Sequence, residues 1–503
     1  MLPDLERFRL RGYIDELGSD ELEVHADPID LVDIAPHVDG NPRAVLFRAA
    51  GPERAELVAN VTGSRTRLAR AFRVAPAELT TEVARRLRVA PQLIEVERAQ
   101  APVQQVVKLG DDADVTALPV HFQHGYDGAP YISGSIDYVV DPRTGVTNVG
   151  IRRLMLRGRH ETGIDLVAPS DLRAIYEATA ARGERLAVSF CVGAHPIDYV
   201  AAMMRVPGDE LGLVSSLREA PVGVVKCVTN DVRVPADAEY VIEGFLDERG
   251  HVEPEGPYGE FLGYYGGVKR NPVFHVTAIT HRRDPLFLSA SIGGRSMSRT
   301  DTAQLGALRT EVLLWRALES AVREPRAVYA TPASGGNYNV RISLRQRVPG
   351  EARNAIATAF GSLANVKHVF VVDPDVDIFS DDQMEWALAT RFQADRDFIV
   401  LAGMRTIPLD PSLEGSRTGA KAGFDCTVPF GRTGVETRSP EPPTYPGRRF
   451  PSIADALGDG PKYFEELIAA VASRDGREIV RELDALRATR KLARDPDGRY
   501  VLS

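Results

Sequence analysis

Two carboxylates, Glu255 and Glu260, stand five residues apart in Glu255-Gly256-Pro257-Tyr258-Gly259-Glu260, a stretch whose glycines and proline keep it from being helical throughout. An earlier stretch reads Asn148-Val149-Gly150-Ile151-Arg152-Arg153. An arginine held between two glutamates could bind a carboxylate-bearing molecule and deliver a proton beside it. Small and apolar residues surround the glutamates, and Phe261-Leu262-Gly263-Tyr264-Tyr265 follows. Burial raises a carboxyl pKa by desolvation, whereas a neighbouring guanidinium lowers it. A carboxyl balanced between the two can act as a general acid near neutral pH. In a strand, residues 148, 150 and 152 share one face and residues 149, 151 and 153 the other, so Asn148 and Arg153 point to different sites. Alone, Arg152-Arg153 would equally suit an exposed basic edge strand.

Other motifs are weaker. His121 and His124 lack an evident third metal ligand and read as a polar loop. Gly293-Gly294-Arg295 is a turn without the dinucleotide-binding fingerprint, and Asp373-Pro374-Asp375-Val376-Asp377 lacks the rest of a calcium loop and reads as a strand end. No Walker A, HExxH or GxSxG motif occurs. Cys191, Cys227 and Cys426 are odd in number and widely spaced, so they read as buried thiols in a reducing compartment.

The elements that must position these residues divide the chain into several regions, as 503 residues exceed one hydrophobic core. Up to about residue 100, helical and strand patterns mix: Leu10, Tyr13, Ile14 and Leu17 at helical spacing, short strands at 31–34 and 44–47, and a helix over 76–88. Strands then dominate, with 131–140 and 146–156 joined as a hairpin by Asp141-Pro142-Arg143-Thr144-Gly145. Further strands are read at 186–192, 222–228, 240–246 and 273–279, with a helix over 169–182, which suggests a barrel-like sheet. A helix over 301–324 ends before Pro325, and strands at 327–330, 340–344 and 368–373 alternate with helices in a second α/β region. Residues 405–450 read as a long loop. Residues 462–492 read as amphipathic helices with Phe464, Leu467, Val471, Val480, Leu483 and Leu486 on the apolar face.

A net charge of -9 disfavours a nucleic-acid binder, and no apolar run is long enough to span a membrane. The first residues carry no signal-peptide pattern, so the expected location is cytoplasmic.

Several segments stand in a recognisable order: Tyr131-Ile132-Ser133, Asn148 to Arg153, Gly193-Ala194-His195-Pro196, Val225-Lys226-Cys227, 234–239, 255–265, 371–377 and Gly419-Ala420-Lys421. In this run the chain resembles the UbiD-like decarboxylases, of the ferulic acid and 3-octaprenyl-4-hydroxybenzoate decarboxylase type, from near residue 5 to about 430 and more loosely beyond. The resemblance implies an α+β multidomain protein. Its parts would be an N-terminal α/β domain (1–114), a central split β-barrel that binds prenylated FMN (115–300), a linker helix (301–325), and a C-terminal α/β domain with oligomerising helices (326–503).

It also implies roles for single residues. Arg153 would hold the substrate carboxylate, Glu260 would protonate carbon after carbon dioxide leaves, and Glu255 would position Arg153. Asn148, Asp171 and Glu210 would hold a manganese or magnesium ion bridging the cofactor phosphate, with potassium nearby. Ser133, Gly150, Ile151, Arg152, Ser170, Arg205 and Lys421 would contact the cofactor. Asp171 departs from the family, which usually has a histidine there; a carboxylate still suits such a cation. The expected reaction is reversible, non-oxidative decarboxylation of an aromatic, heteroaromatic or α,β-unsaturated acid, a phenazine carboxylate being one candidate. Residues 291–297 and the loop after Lys421 would wall the pocket. A flavin prenyltransferase would supply the cofactor, and a homodimer or larger homo-oligomer is expected. The competing readings are a flavin-dependent oxidoreductase, for which no nicotinamide fingerprint is present, and a non-catalytic flavin-binding or assembly protein, which would not need the Arg153/Glu255/Glu260 set.

Overall fold

The computed structural model describes residues 3–432, 449–489 and 491–502, together with 434, 437, 440, 442, 443 and 447. They fall into two compact units, 1–426 and 427–503.

In the first unit, alternating strands close into a barrel. Tyr131–Val140, Thr147–Leu156, Glu161–Ile164, Val273–His281, Tyr240–Leu246 and Leu186–Val192 follow one another around the ring, and Leu186–Val192 pairs back to Tyr131–Val140. All six pairings are antiparallel, so the mixed α+β architecture with a central barrel is present as expected. Closure removes the free edges that an open sheet would expose. Ile132, Val139, Leu154, Ile164, Val188, Phe190, Ile242 and Phe274 fill one buried apolar cluster. The strand at Val222–Lys226 stays outside the ring and pairs instead with Leu93–Glu95 and Arg233–Pro235.

On the N-terminal side, Leu22–His25, Ala44–Ala50, Ala55–Ala59 and Phe287–Ser289 form a four-stranded sheet. The strand expected over residues 31–34 is instead a short helical stretch: a tight turn at Leu31–Asp33 runs into the helix Ile34–Val38. Apolar Leu31, Val32 and Ile34 suit either state, but Pro36 fits the first turn of a helix, where its missing N–H costs nothing.

The helix Asp301–Ala321 is capped by the Thr300 hydroxyl, which accepts from the Ala303 amide. It ends four residues ahead of Pro325, which opens the next strand. That strand begins a five-stranded sheet in the order Pro325–Ala330, Asn339–Leu344, His368–Val372, Thr418–Asp425, Phe398–Arg405. Thr418–Asp425 corrects the reading of 405–450 as loop. Glycines at 419 and 423 hide the strand pattern of Thr418–Asp425, yet Gly423 is required there, since a Cβ would lie 2.4 Å from Ile356. The remainder of the expected loop lies partly outside the described residues.

The second unit has its own small core of Ile453, Leu457, Leu467, Ile479, Leu483 and Tyr500 around the helices Phe464–Val471 and Gly476–Ala488. Val480, expected on the apolar face, is 55% exposed: Ile479 and Leu483 take the inward positions, and Val480 lies one residue off that stripe.

Candidate active site

Gly256, with φ +97°, and Pro257 turn the chain between the short strands Glu253–Glu255 and Tyr258–Gly259, so both glutamates come back to one point. Arg153, on the barrel strand Thr147–Leu156, reaches that point from across the fold. Its Nε donates to Glu255 Oε1 at 3.0 Å, and its Nη1 donates to the Glu260 carboxylate at 3.0 and 3.1 Å. Nη2 donates to Asp165 Oδ2 at 2.9 Å and to Glu255 Oε2 at 3.4 Å. Lys269, opposite Glu255 in the strand pair, donates to Asp165 at 3.1 Å and to Glu260 at 3.5 Å. The Tyr258 ring lies 4.4 Å from the Arg153 guanidinium carbon. Gly266 makes room for Glu260, since a Cβ would sit 2.7 Å from Oε1.

Burial opposes the charge on Arg153, but Glu260, Glu255 and Asp165 outweigh it and raise its pKa. Burial pushes the Asp165 carboxyl up, but Arg153 and Lys269 overcome that and hold it below the ordinary aspartate value. Three carboxylates thus face two cations, and the cluster carries one negative charge in excess when all are ionised.

Arg153, Asp165, Glu260 and Lys269 line a cavity of about 940 Å³, large enough for a flavin and a small acid together. Glu255 stays behind it, 1% exposed. The cavity is basic: Arg152, Arg309 and Arg405 join Arg153 and Lys269, against the acids Asp165 and Glu260. Arg309 has no carboxylate partner among the described residues, donates to the Met203 carbonyl at 3.0 Å, and has its pKa pushed down by burial and by Arg205. Two like charges in a half-enclosed place suit an anion such as a phosphate.

Asn148 and Glu210 meet directly. Glu210 Oε2 accepts from Asn148 Nδ2 at 2.7 Å and from the Val149 amide at 2.9 Å. Arg205 Nε lies 3.9 Å from both Glu210 Oε1 and Asp171 Oδ2, so the three oxygen-bearing residues converge around one arginine. Asp171 opens the helix Asp171–Ala180 and its side chain is 67% exposed; Ser170 caps that helix by accepting from the Arg173 amide. Burial raises the Glu210 pKa, only partly offset by the Val149 N–H and Arg205. Behind them, both carboxylate oxygens of Asp137 are buried without a hydrogen-bond partner, as is Arg152 Nε 3.8 Å away. Gly150 lies opposite Asp137 in the hairpin, where a Cβ would come 2.9 Å from its carboxylate. These oxygen donors, the orphaned polar atoms and the unpaired Arg309 fit a phosphate held with a hard cation.

Ile151 borders both the large cavity and a narrow apolar one that it shares with Ser133, Tyr199, Met203, Leu288 and Leu305. Ser133 Oγ donates to the Ala290 carbonyl at 2.8 Å. Lys421 lies one layer back. Its Nζ donates to the carbonyls of Leu363 (2.9 Å) and Ala364 (3.1 Å), which themselves line the large cavity. Burial pushes its pKa down to about 8. The residues after Lys421 continue as strand, and the cavity wall is built instead by Arg405–Leu409. Ser291–Gly294 border a separate cavity of about 390 Å³ with His121, Gln123 and His124. His121 lies in an irregular stretch, as expected, but is buried, with its pKa pushed down to about 4. All three cysteines are buried.

Sequence reasoning passed over Asp165, Lys269 and Arg309. Arg309 left one signal, a cation four residues after Leu305 on a helix with a buried face. Asp165 and Lys269 left none.

Two family models match the chain in order: the 3-octaprenyl-4-hydroxybenzoate carboxy-lyase Rift-related domain over residues 94–296 and the C-terminal domain of the same carboxy-lyase over 303–426. The anhydromevalonate phosphate decarboxylase of Methanosarcina mazei is 31% identical over 373 residues, covering 74% of this chain and 85% of that protein. The UbiD-class enzyme HmfF of Pelotomaculum thermopropionicum, solved in complex with FMN, superposes with a TM-score of 0.80 at 33% identity, covering 86% of this chain and 97% of its own. An evolved dimeric form of HmfF with prFMN gives 0.77 at 31% identity, covering 86% and 97%. The apo 3,4-dihydroxybenzoic acid decarboxylase of Klebsiella pneumoniae gives 0.78 at 27% identity, covering 88% and 97%. With both domains matched in sequence and the barrel matched in space, this chain belongs to the UbiD family and is a carboxy-lyase.

Proposed function

We propose that this protein catalyses the reversible, non-oxidative decarboxylation of an unsaturated or aromatic carboxylic acid with prenylated FMN and a divalent cation. The observation that carries this is the engagement of all three Arg153 nitrogens by Glu255, Glu260 and Asp165 at the edge of a basic cavity. Prenylated FMN, when bound, supplies the electron sink for the carbon chemistry. Arg152, Arg205 and Arg309 would hold its phosphate, with Asn148, Glu210 and Asp171 offering oxygen ligands to manganese or magnesium. Ser133, Gly150, Ile151 and Ser170 would shape the cofactor's place. Lys421 would act from behind the wall, by holding the 363–364 carbonyls.

An incoming carboxylate finds all three guanidinium nitrogens of Arg153 already engaged by carboxylates. It must displace Glu260, the glutamate on the cavity side, whereas Glu255 keeps Arg153 in place from behind. It also brings a second excess negative charge to the cluster, which favours uptake of one proton. Glu260 borders the cavity whereas Glu255 lies behind it, so Glu260 is the group placed to pass a proton to the carbon that loses carbon dioxide. Binding of the acid and arming of the proton donor are then one event.

Among substrates, the basic lining favours an acid with a further anionic group. Anhydromevalonate phosphate, named for the Methanosarcina mazei relative, carries such a group; 3,4-dihydroxybenzoic acid, named for the Klebsiella pneumoniae structure, represents the aromatic acids. The testing experiment is mass spectrometry of the small-molecule extract of protein co-produced with a flavin prenyltransferase, followed by carbon dioxide release from a panel of both acid types. Prenylated FMN in the extract and release from one type are expected; an extract with only plain FMN and oxidation of a nicotinamide cofactor would replace this reading with a flavin oxidoreductase. In the loaded protein, Glu260→Gln should lower turnover about 100-fold to 10,000-fold, the range of a lost general acid, with cofactor occupancy unchanged.

A further inference from the structure

We propose that Glu23, His25 and His37 form a binding site for one divalent first-row transition ion, of which zinc is the type, on the N-terminal sheet and outside the decarboxylase cavity. Their ligand atoms all lie within 4.8 Å of one another, and among the described residues no other set of three His, Cys, Asp or Glu side chains comes this close.

Two independent elements build the site. Glu23 and His25 lie on one face of the strand Leu22–His25, with Val24 turned away between them. His37 comes from the helix Ile34–Val38, whose Ile34 and Val38 are buried and so fix the rotation that presents His37. The two imidazole rings meet edge to face, 4.5 Å between centroids. His25 Nε2 lies 2.9 Å from Glu23 Oε1. The second oxygen of Glu23 is held from behind by Asn41 Nδ2 at 3.1 Å and by Arg43, and the His25 ring stacks on Phe47 at 5.0 Å. Ligands oriented by outer hydrogen bonds and packing are what a metal centre requires.

The donor chemistry separates this site from the cation place at Asn148 and Glu210. Two imidazoles and one carboxylate suit zinc, cobalt or nickel, whereas an all-oxygen set suits magnesium, manganese or calcium. Three protein ligands leave a fourth tetrahedral position, and His37 is on the exposed side, where water can take it. An ion here would cross-link the strand to the helix Ile34–Val38. Ala35, Pro36, Val38 and Asp39 of that region line the 390 Å³ cavity, and Arg299 donates to the Gly40 carbonyl at 2.7 Å. The ion is thus placed to stiffen one wall of the cavity that Gly293, beside the Glu260 carbonyl, also borders.

The test is a zinc titration of the chelator-treated full-length protein against a chromophoric competitor, with manganese present in excess to fill the oxygen site. One zinc per chain is expected. His37→Gln, at an exposed position that leaves the fold intact, should weaken it roughly 100-fold or more, and Asn41→Ala about tenfold through the loss of an outer partner. Glu210→Gln should leave it unchanged. X-ray absorption of the zinc-loaded protein should show two imidazole ligands. No zinc bound in the presence of manganese, or equal binding by the His37→Gln protein, would overturn the proposal and leave a plain Glu23–His25 hydrogen bond.

Discussion

Asp165 decides how Arg153 is held, because it joins Arg153 to Lys269 through hydrogen bonds of 2.9 and 3.1 Å. Its pKa is below the ordinary value despite burial, because Arg153 and Lys269 stabilise the ionised form. A carboxyl depressed in the folded state adds stability above its unfolded pKa of about 3.9 and loses it as pH falls through the folded value. Asp165→Asn should therefore cost about 1–3 kcal/mol at pH 7, the worth of charge-assisted hydrogen bonds lost, and progressively less below the unfolded value. Urea unfolding of both proteins at neutral and acid pH measures this; a gap that stays constant with pH would show that the charge on Asp165 contributes nothing. Turnover should fall as well, since Arg153 gains freedom to follow Glu260. The pairing of Arg153 with Glu255 and Glu260 could be read in the sequence because Gly256, Pro257 and Gly259 confine both glutamates to one turn. Asp165 and Lys269 could not. Asp165 follows the strand Glu161–Ile164 and Lys269 opens the strand Lys269–Asn271, and the registers Glu255 with Lys269 and Val273 with Gly163 bring them together.

At the scale of elements, strand alternation and proline punctuation are local, so the barrel hairpin and the helix Asp171–Ala180 follow from the chain itself. What was hidden is non-local. Thr418–Asp425 carries glycines that only make sense once Ile356 packs over Gly423, and Leu31–Ile34 is apolar in a way that fits strand and helix alike. Arg218 is another such case. It ends the helix Leu211–Arg218 and is buried between Asp198, on the helix Pro196–Met203, and Asp237, ahead of the barrel strand Tyr240–Leu246. Between these two helices lies the loop that bears Arg205 and Glu210. Removal of Arg218 leaves two buried carboxylates facing each other, and burial already pushes Asp198 up to about 6 although Arg218 opposes it. Arg218→Ala should cost about 3–5 kcal/mol and loosen metal binding at Glu210. Adding Asp198→Asn and Asp237→Asn to it should recover much of that loss, since the unpaired charges go with the arginine. If the triple variant unfolds no later than the single one, packing rather than charge is the function of Arg218.

At the scale of the whole molecule, the two units have separate cores, and among the described residues those lining the cavity and its charged cluster lie in residues 1–426. Assembly with a second copy is the role expected of the second unit's helices. On Gly476–Ala488 the inward stripe is satisfied by Ile479 and Leu483, yet Val480 remains largely in solvent. An exposed β-branched residue beside a buried stripe is ordinary when single, but here it sits on the helix expected to meet a second copy. Val480→Asp leaves the core of the unit untouched and places a charge where apolar contact is expected. If the copies associate through this face, the full chain is a dimer or larger by light scattering, and the variant should weaken that association at least about tenfold, or roughly 1.4 kcal/mol. Its circular dichroism and its carbon dioxide release per cavity should not change, because residues 1–426 carry the chemistry. A chain ended at Cys426 should behave the same way, folded and able to hold cofactor but no longer self-associated. Retention of the native assembly by both proteins would move the interface off the second unit and onto the first.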